Sequence, residues 1–509
     1  MRQRSKRVVS LVAMLALLLA LLPSGLVSPA SAAVNIGDPA VLQNGDTVYY
    51  GVYPQGEITS ITGLIENVDY VVSSGANYAI QPIAWRVLDR GSGELLLLSE
   101  KNLDVQPYHV NDEAVTWAGS TVRSWLNGYA DGSNIAGVGY SGAGDSFISN
   151  AFAAAERVSI ATTRVINNVI HSYIDAETGI SYTFPGGLDT DDQIFFLSYS
   201  EADNRTTSMY FPAPDPMSSP ADARIAYNTA YTAAAHSFME PAGDPDFWWL
   251  RTPSGESSDL SYKATQVDWN GELADEGGEV TSPYLAVRPA FNLDLGSVLF
   301  SSDASGTMKS AATPGGDLVE VANTSGAVKL TVKNDYNATT NPTGLGLTIT
   351  DPSSRTAAPG ATVDIAYTGA RTGVNRSVSV LLCDSTGDLL YYGRPGDCAT
   401  NADGTASFTV PASLPNGSYT IKIFNEEVNA ANYTDFASTP QLISLTVGAS
   451  SYKPGDINRD GDVNVRDLSI LLENYGLPVE DRTNPNADIN NDGDVNVRDL
   501  SIILENYGK

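Results

Sequence analysis

A chain of 509 residues with 29 Lys and Arg against 59 Asp and Glu has room for two to four domains and carries a formal charge of −30. That sign makes nucleic acid and anionic membrane poor partners. Calcium, neutral glycans and protein surfaces remain.

Taken in order, the chain begins with a targeting pattern over residues 1–32. Arg2, Arg4, Lys6 and Arg7 precede an apolar run at 8–22, and Ala30-Ser31-Ala32 supplies a small-residue exit. Cleavage near Ala32-Ala33 would leave a secreted protein, and removing four cations from −30 leaves about −34. The run is short for a membrane helix, and no later stretch approaches that length. No direct membrane insertion is therefore expected after cleavage, and any surface attachment must go through a partner.

Residues 33–300 read as one α+β domain. Strand patterns fall at 47–52, 83–88 and 94–99, the last two forming a hairpin around 89–93. A helix starts at Ser120, with Val122, Trp125 and Leu126 facing inward, and another is expected over 146–160. Strands are expected at 193–198, 248–253 and 262–269. All six tryptophans (Trp85, Trp117, Trp125, Trp248, Trp249, Trp269) lie here.

The three histidines, His109, His171 and His236, are far apart and lack metal-ligand spacing. No G-x-S-x-G, H-E-x-x-H or P-loop occurs. A hydrolase acting on O-glycosyl bonds needs two facing carboxylates. Glu100, Asp192, Glu201 and Asp268 lie near aromatic or apolar segments, but sequence spacing brings no two of them together, so no catalytic residue is assigned. Sugar binding needs less: aromatic faces and orienting polar groups. Trp248, Trp249, Arg251, Trp269, Asn270 and Arg288 are the candidate ligand contacts, with core packing of the tryptophans and loop bracing by the arginines as the competing expectation.

The series IAWRVLD, LLLLSE, VTWAGSTVRSWLNG, IFFLSYSEA, FWWLRTP and VRPAFNLDL resembles, in the expected order over residues 45–296, a domain of unknown function of exported bacterial proteins. Its ending is also similar, at the level of fold, to C-type-lectin-like and formylglycine-generating-enzyme-like domains. Fold does not fix function. The copper oxidase chemistry of the latter needs cysteines, which this domain lacks.

Residues 301–317 are rich in Ser, Ala, Gly and Thr and read as a linker. Beyond it, 318–449 carries seven alternating runs (LGLTIT, TVDIAYT, SVSVLLC, LLYYG, ASFTV, SYTIKIF, QLISLTV) separated by turn residues, which suggests an immunoglobulin-like β-sandwich acting as a spacer or adhesion module. Cys383 and Cys398 both lie in it. A disulfide closing that short loop would be worth about 3 kcal/mol in an exported protein, with two unpaired thiols as the alternative.

The C-terminus contains one unit twice: DINRDGDVNVRDLSILLENYG from Asp456 and DINNDGDVNVRDLSIILENYG from Asp488. Asp456, Asn458, Asp460, Asp462 (through its carbonyl), Asn464 and Asp467 occupy positions one, three, five, seven, nine and twelve of a calcium loop, with Gly461 at six. The second set is Asp488, Asn490, Asp492, Asp494, Asn496 and Asp499, with Gly493. Calcium takes six to eight oxygens at about 2.3–2.6 Å, which such a loop supplies. Leu468, Leu471, Leu472 and Tyr475, and Leu500, Ile503, Leu504 and Tyr507, mark an amphipathic helix after each loop. No entering helix precedes either loop.

A loop–helix half of an EF-hand given twice resembles a type I dockerin over residues 455–509. The resemblance implies an all-α module folded around two Ca²⁺, with no cofactor implied elsewhere, that binds a cohesin domain of a scaffoldin or cell-surface protein, as in a cellulosome. The family's recognition positions are Val465, Arg466, Leu472 and Glu473, and Val497, Arg498, Leu504 and Glu505. The first pair of each set departs from the hydroxyl pair many dockerins carry. The leucines could equally be core. The near-identity of the repeats implies an approximate two-fold axis. Three functions follow as expectations. One is a non-catalytic component of a cohesin–dockerin assembly whose N-terminal domain binds carbohydrate or protein. The second is a dockerin-borne enzyme of polysaccharide catabolism. The third is a surface adhesion protein held by a cell-wall cohesin.

Overall fold

The computed structural model describes Gly37 and residues 42–508, apart from 92, 169–170, 175–178, 180, 185, 204–209, 212–221, 255–261, 323–325, 351–353, 449–452 and 491. The expected signal segment lies outside the described residues. By compactness the chain divides into two units. One is Met1–Pro352 with Asp364–Phe408 and Thr420–Ile443; the other is Ser353–Val363, Thr409–Tyr419 and Ser444–Lys509.

The first unit is built on a long mixed sheet. Its strands are β1 (Thr47–Ile58), β2 (Ala76–Arg90), β3 (Glu94–Ser99), β4 (Ala290–Asp294), β5 (Val298–Asp303), β6 (Val328–Lys333), β7 (Arg376–Cys383), β8 (Leu389–Asp397), β9 (Gly417–Glu427) and β10 (Asp435–Ala437). The main path runs β4–β3–β2–β1–β6–β10–β9–β7–β8, with β5 pairing β6. β2 and β3 form the expected hairpin, Arg90 opposite Leu95. On it pack Trp85, Phe152 and Phe291, with Trp85 and Phe291 edge to face at 4.7 Å.

The expected helix at Ser120 is α1 (Thr121–Asn127), capped by the Ser120 hydroxyl and ended by Gly128 in the left-handed region at φ 70°. The single helix expected over 146–160 is instead two, Phe147–Ala151 and Ala154–Val158. Phe152, between them, adopts an extended conformation at φ −130° and puts its ring against Tyr50, Trp85 and Phe291. Burial of that ring outweighs the helix propensity of the alanines. Residues 193–198 are buried as expected but are no strand. Only Phe195 makes a strand-like bridge, to Ala290, while Asn127 serves the residues before it, accepting from the Gln193 and Ile194 amides at 2.9 Å and donating to the Ile194 carbonyl at 2.8 Å. Trp248–Pro253 and Lys263–Val267 are strands of a second, five-stranded sheet.

The linker expected at 301–317 is corrected in its first half. Residues 301–303 complete β5, and Thr307–Ala311 form a short helix, α2, whose Met308 and Lys309 are buried. Small polar residues here are packed ones rather than flexible ones. β6 then lies parallel to β1 (Val48 opposite Val328) and parallel to β10 (Thr331 opposite Asp435). The sheet therefore continues from the N-terminal region into the later strands without a break. All seven runs read as strands contain one. Thr362–Thr368 alternates exposed and buried residues, as a strand with one solvated face requires.

The expected disulfide is absent: Cys383 and Cys398 are buried free thiols. The register gives the reason. Cys383 pairs with Leu389 while Ser377 pairs with Asp397, so the cysteines sit at opposite ends of the β7–β8 hairpin. Some seven residues at about 3.3 Å each separate them along the strands, far beyond disulfide reach.

In the second unit, α3 (Val465–Asn474) and α4 (Val497–Asn506) follow the two loops. Among the described residues no helix is long and apolar enough to cross a membrane.

Candidate metal loops and docking helices

The six candidate ligand contacts of the N-terminal region do not form a surface patch. Trp248, Trp249, Arg251 and Arg288 are buried. Trp248 and Trp249 donate their indole N–H to the carbonyls of Arg224 and Gln106. Arg288 lies over the Trp248 ring at 4.9 Å and donates to the carbonyls of Ser99, Arg224 and Ala223, bracing three segments. Burial lowers its guanidinium to about 9. Arg251 donates to the Phe196 carbonyl at 2.8 Å and grips Glu201 through two bonds of 2.5 and 2.8 Å. Trp269, at 54% exposure, and the half-buried Asn270 remain at the surface, in the turn between Lys263–Val267 and Leu273–Glu279.

The candidate carboxylates are engaged separately. Asp192 is buried among the Trp117 indole (2.9 Å), Arg123 (2.8 Å) and Thr190 (2.6 Å). Glu201 pairs with Arg251, Glu100 with Arg86 at 3.2 Å. Asp268 accepts from Gln266, and burial raises its carboxyl. Glu201 and Arg251 line a cavity of about 110 Å³ with Thr116, Trp117, Asn167 and Ser200, among others; Glu201 is its one carboxylate among the described residues. His109 is a core residue: its Nδ1 accepts from the Thr121 amide and its Nε2 donates to Glu113. His236 stacks on Phe238, and the His171 side chain lies outside the described residues.

Sequence reasoning passed over Asp104, which the fold buries against the Tyr53 hydroxyl and places beside Tyr231. Burial pushes its carboxyl up to about 6, while hydrogen bonds from Tyr53 and the Val105 amide pull the other way. An unfolded Asp titrates near 3.9, so this group's contribution to stability is fully present below about pH 4 and is lost as pH rises through 6. The expected outcome for Asp104→Asn is a stability that gains on the wild type by about 2 kcal/mol between pH 4 and pH 7. Denaturant titration of both proteins across that range checks it; a constant difference would refute it.

In the C-terminal module the two loops fold alike. Asp456 accepts from the amides of Asp460 (3.1 Å) and Gly461 (3.0 Å); Asp488 accepts from those of Asp492 (3.1 Å) and Gly493 (3.0 Å). Asp467 bonds the amides of Asn458 and Asn464, and Asp499 those of Asn490 and Asn496. These bonds curl each loop with its carboxylates inward, and Gly461 and Gly493 supply the left-handed turn at φ 93° and 96°. Carboxylate oxygens of Asp456, Asp460 and Asp467 lie within 4.8 Å of one another. An all-oxygen set with three carboxylates fits a hard divalent cation. Asn464 and Asn496 cap the helices, accepting from the amides of Arg466 and Arg498 at 2.8 Å.

The helices show a face different from the one expected. Leu471 and Ile503 are buried with Ile457, Val463, Ala487 and Val495, and Leu468 and Leu500 pack against them. Leu472 and Leu504, left open between core and contact, and Tyr475 and Tyr507, placed on the apolar stripe, are exposed. At the recognition positions Val465 and Val497 are exposed by 61% and 60%, and Leu472 and Leu504 by 57% and 61%. Arg466, Glu473, Arg498 and Glu505 are exposed beside them. Their exposure removes the core reading of the two leucines.

A feature the sequence reading missed joins the halves. The Gly476 amide donates to the Val495 carbonyl at 2.9 Å, and the Gly508 amide to the Val463 carbonyl at 2.9 Å. Each bond maps onto the other under the repeat, as an approximate two-fold axis demands. The signal was present in the glycine that closes each repeat. The symmetry is broken at Arg482, which reaches Asp488 at 3.5 Å and the Gly493 carbonyl at 2.6 Å.

Comparison with known proteins agrees with this geometry. Residues 454–507 match the dockerin type I domain, and residues 92–295 match a domain of unknown function, DUF6273. The chain thus carries both domains. The search of curated proteins finds no match. No finding supports the C-type-lectin-like or formylglycine-generating-enzyme-like analogy. The dockerin match and the acidic cluster together support a calcium-binding interaction protein of the cohesin-docking kind.

Proposed function

We propose that this is a secreted protein that docks, through two Ca²⁺-loaded loops, onto a cohesin of a scaffoldin or cell-surface protein, displaying its N-terminal region there as a carbohydrate- or protein-binding module. The observation that carries the docking reading is the pair of matched exposed faces, each following an inward-turned acidic loop. In each loop the metal would be held by the set named above, Asp456 to Asp467 and Asp488 to Asp499. Bound calcium supplies charge neutralisation among clustered carboxylates, and the protein's own capping bonds orient the helices. The exposed leucine and valine supply apolar contact, and the arginine and glutamate flank it with charge.

In the N-terminal region, Trp269 and Asn270 are the contacts left at the surface for a glycan. The alternative, a dockerin-borne hydrolase of O-glycosyl bonds, would need a second carboxylate facing Glu201. A glycan array and a hydrolysis screen of the full chain, wild type against Trp269→Ala, separate the readings. Binding lost in Trp269→Ala without turnover is the expected result. Hydrolysis abolished by Glu201→Gln would overturn it in favour of the enzyme.

A further inference from the structure

Lys309 on α2 and Lys329 on β6 meet Glu426 on β9 and Asp435 on β10, and all four side chains are at most 1% exposed. Lys309 Nζ lies 2.5 Å from Glu426 Oε1 and 2.8 Å from Asp435 Oδ2, and donates to Thr331 Oγ1 at 2.6 Å. Lys329 Nζ donates to Asp435 Oδ1 at 2.9 Å and to the carbonyls of Asn429 and Ala430. Glu426 Oε2 accepts from the hydroxyls of Ser379 (2.5 Å) and Tyr392 (2.8 Å), which turns Oε1 toward Lys309. The Phe300 ring lies 4.4 Å from Lys309 Nζ and the Tyr392 ring 5.7 Å from it. Asp435 Oδ2, although 2.8 Å from that nitrogen, accepts no hydrogen bond: the contact lies off a hydrogen-bonding direction. Two ion pairs in so dry a place are costly for a fold that needs only packing there.

We propose that Lys309 and Asp435 condense to an intramolecular isopeptide bond, with Glu426 carrying the protons. The Nζ–Cγ bond forms and the Cγ–Oδ2 bond breaks. Two protons of the Lys309 ammonium pass by way of Glu426 to Oδ2, which departs as water, and Glu426 ends as it began. No oxidant or co-substrate is needed. Lys329 holds Oδ1, the oxygen on which negative charge develops and which remains as the amide carbonyl. Lys309 is the nucleophile because it alone touches both Glu426 and Oδ2; Lys329 is tied to two carbonyls. Burial pushes the Glu426 carboxyl up, but Lys309, with the Ser379 hydroxyl and Arg394, more than reverses this and holds it low, as a proton acceptor requires. Condensation leaves one charge pair, Lys329 with Glu426, where there were two. It also ties α2 covalently to β10 across residues 309–435, in the unit that contains the N-terminal region. The inference is independent of what the chain docks onto.

Intact-mass and tandem mass spectrometry of the full chain test it. The expected result is a mass lower by one water molecule and a branched peptide joining Lys309 to Asp435. Both should be lost in Glu426→Gln. An intact wild-type mass equal to that calculated for the uncrosslinked chain overturns the proposal, as does a water loss without the branched peptide. A branch through Lys329 overturns the assignment of the nucleophile. If Glu426→Gln fails to fold, the wild-type spectrum decides alone.

Discussion

In excess chelator, residues 455–508 are expected to lose both helices, while calcium restores them in one cooperative step. The core of this module is six buried apolar residues, Ile457, Val463, Leu471, Ala487, Val495 and Ile503. A core of that size supplies at most about 3–5 kcal/mol. An ion present at a thousand times its Kd stabilises a fold by about 4 kcal/mol, so two sites exceed what packing gives. Without metal, Asp456, Asp460 and Asp467 also repel one another across less than 5 Å. Asp456→Ala should remove one ion and lower the melting midpoint, and adding Asp488→Ala should leave no folded module at ambient temperature. Calorimetry and far-ultraviolet dichroism of residues 450–509, with calcium and with chelator, check both. An unchanged melt in chelator, or no uptake of calcium, would refute the claim.

Disabling one recognition face should hardly change cohesin affinity; disabling both should abolish it. The two faces present the same residues at nearly the same exposure, and the paired bonds Gly476–Val495 and Gly508–Val463 relate them by a half-turn. A partner can then bind in either of two orientations. Arg466→Ala with Leu472→Ala removes one orientation, which is a loss of about two-fold in affinity. Adding Arg498→Ala with Leu504→Ala removes the other. Truncating an exposed anchor pair costs about 3 kcal/mol or more, which is over about 100-fold. Titration calorimetry against a cohesin, in calcium, measures both steps. A single-face variant that binds a hundred-fold more weakly would show that one face alone is used.

How much of this was legible beforehand depended on how local the cause was. The α1 helix and its Ser120 cap, the β2–β3 hairpin, and the two calcium loops are each specified within about a dozen residues. Spacing, turn chemistry and capping therefore disclose them. The break at Phe152 was not legible, because it depends on Tyr50, Trp85 and Phe291, which lie far away in the chain. Burial of Trp248, Trp249, Arg251 and Arg288 was open for the same reason: the residue types that stack on sugars also fill cores. The helix faces of the C-terminal module were misread where periodicity alone was used. Leu472 fits an inward stripe by spacing, but the buried side of the helix is that of Leu471, in the apolar core, and Asn474, which accepts from the Thr483 and Asn484 amides.

The sequence by itself determined the repeated oxygen ligands, the acidic balance, the chain's strand-rich middle and the docking role those ligands suggest. Each is written in adjacent residues whose chemistry acts over one or two turns of chain. Only the tertiary structure decided that residues 301–311 are packed, that Cys383 and Cys398 stand a strand's length apart, and that two lysines and two carboxylates share one dry site. Those outcomes depend on which distant strands become neighbours. That pairing is set by burial of the whole sheet, to which every strand contributes and which none encodes alone.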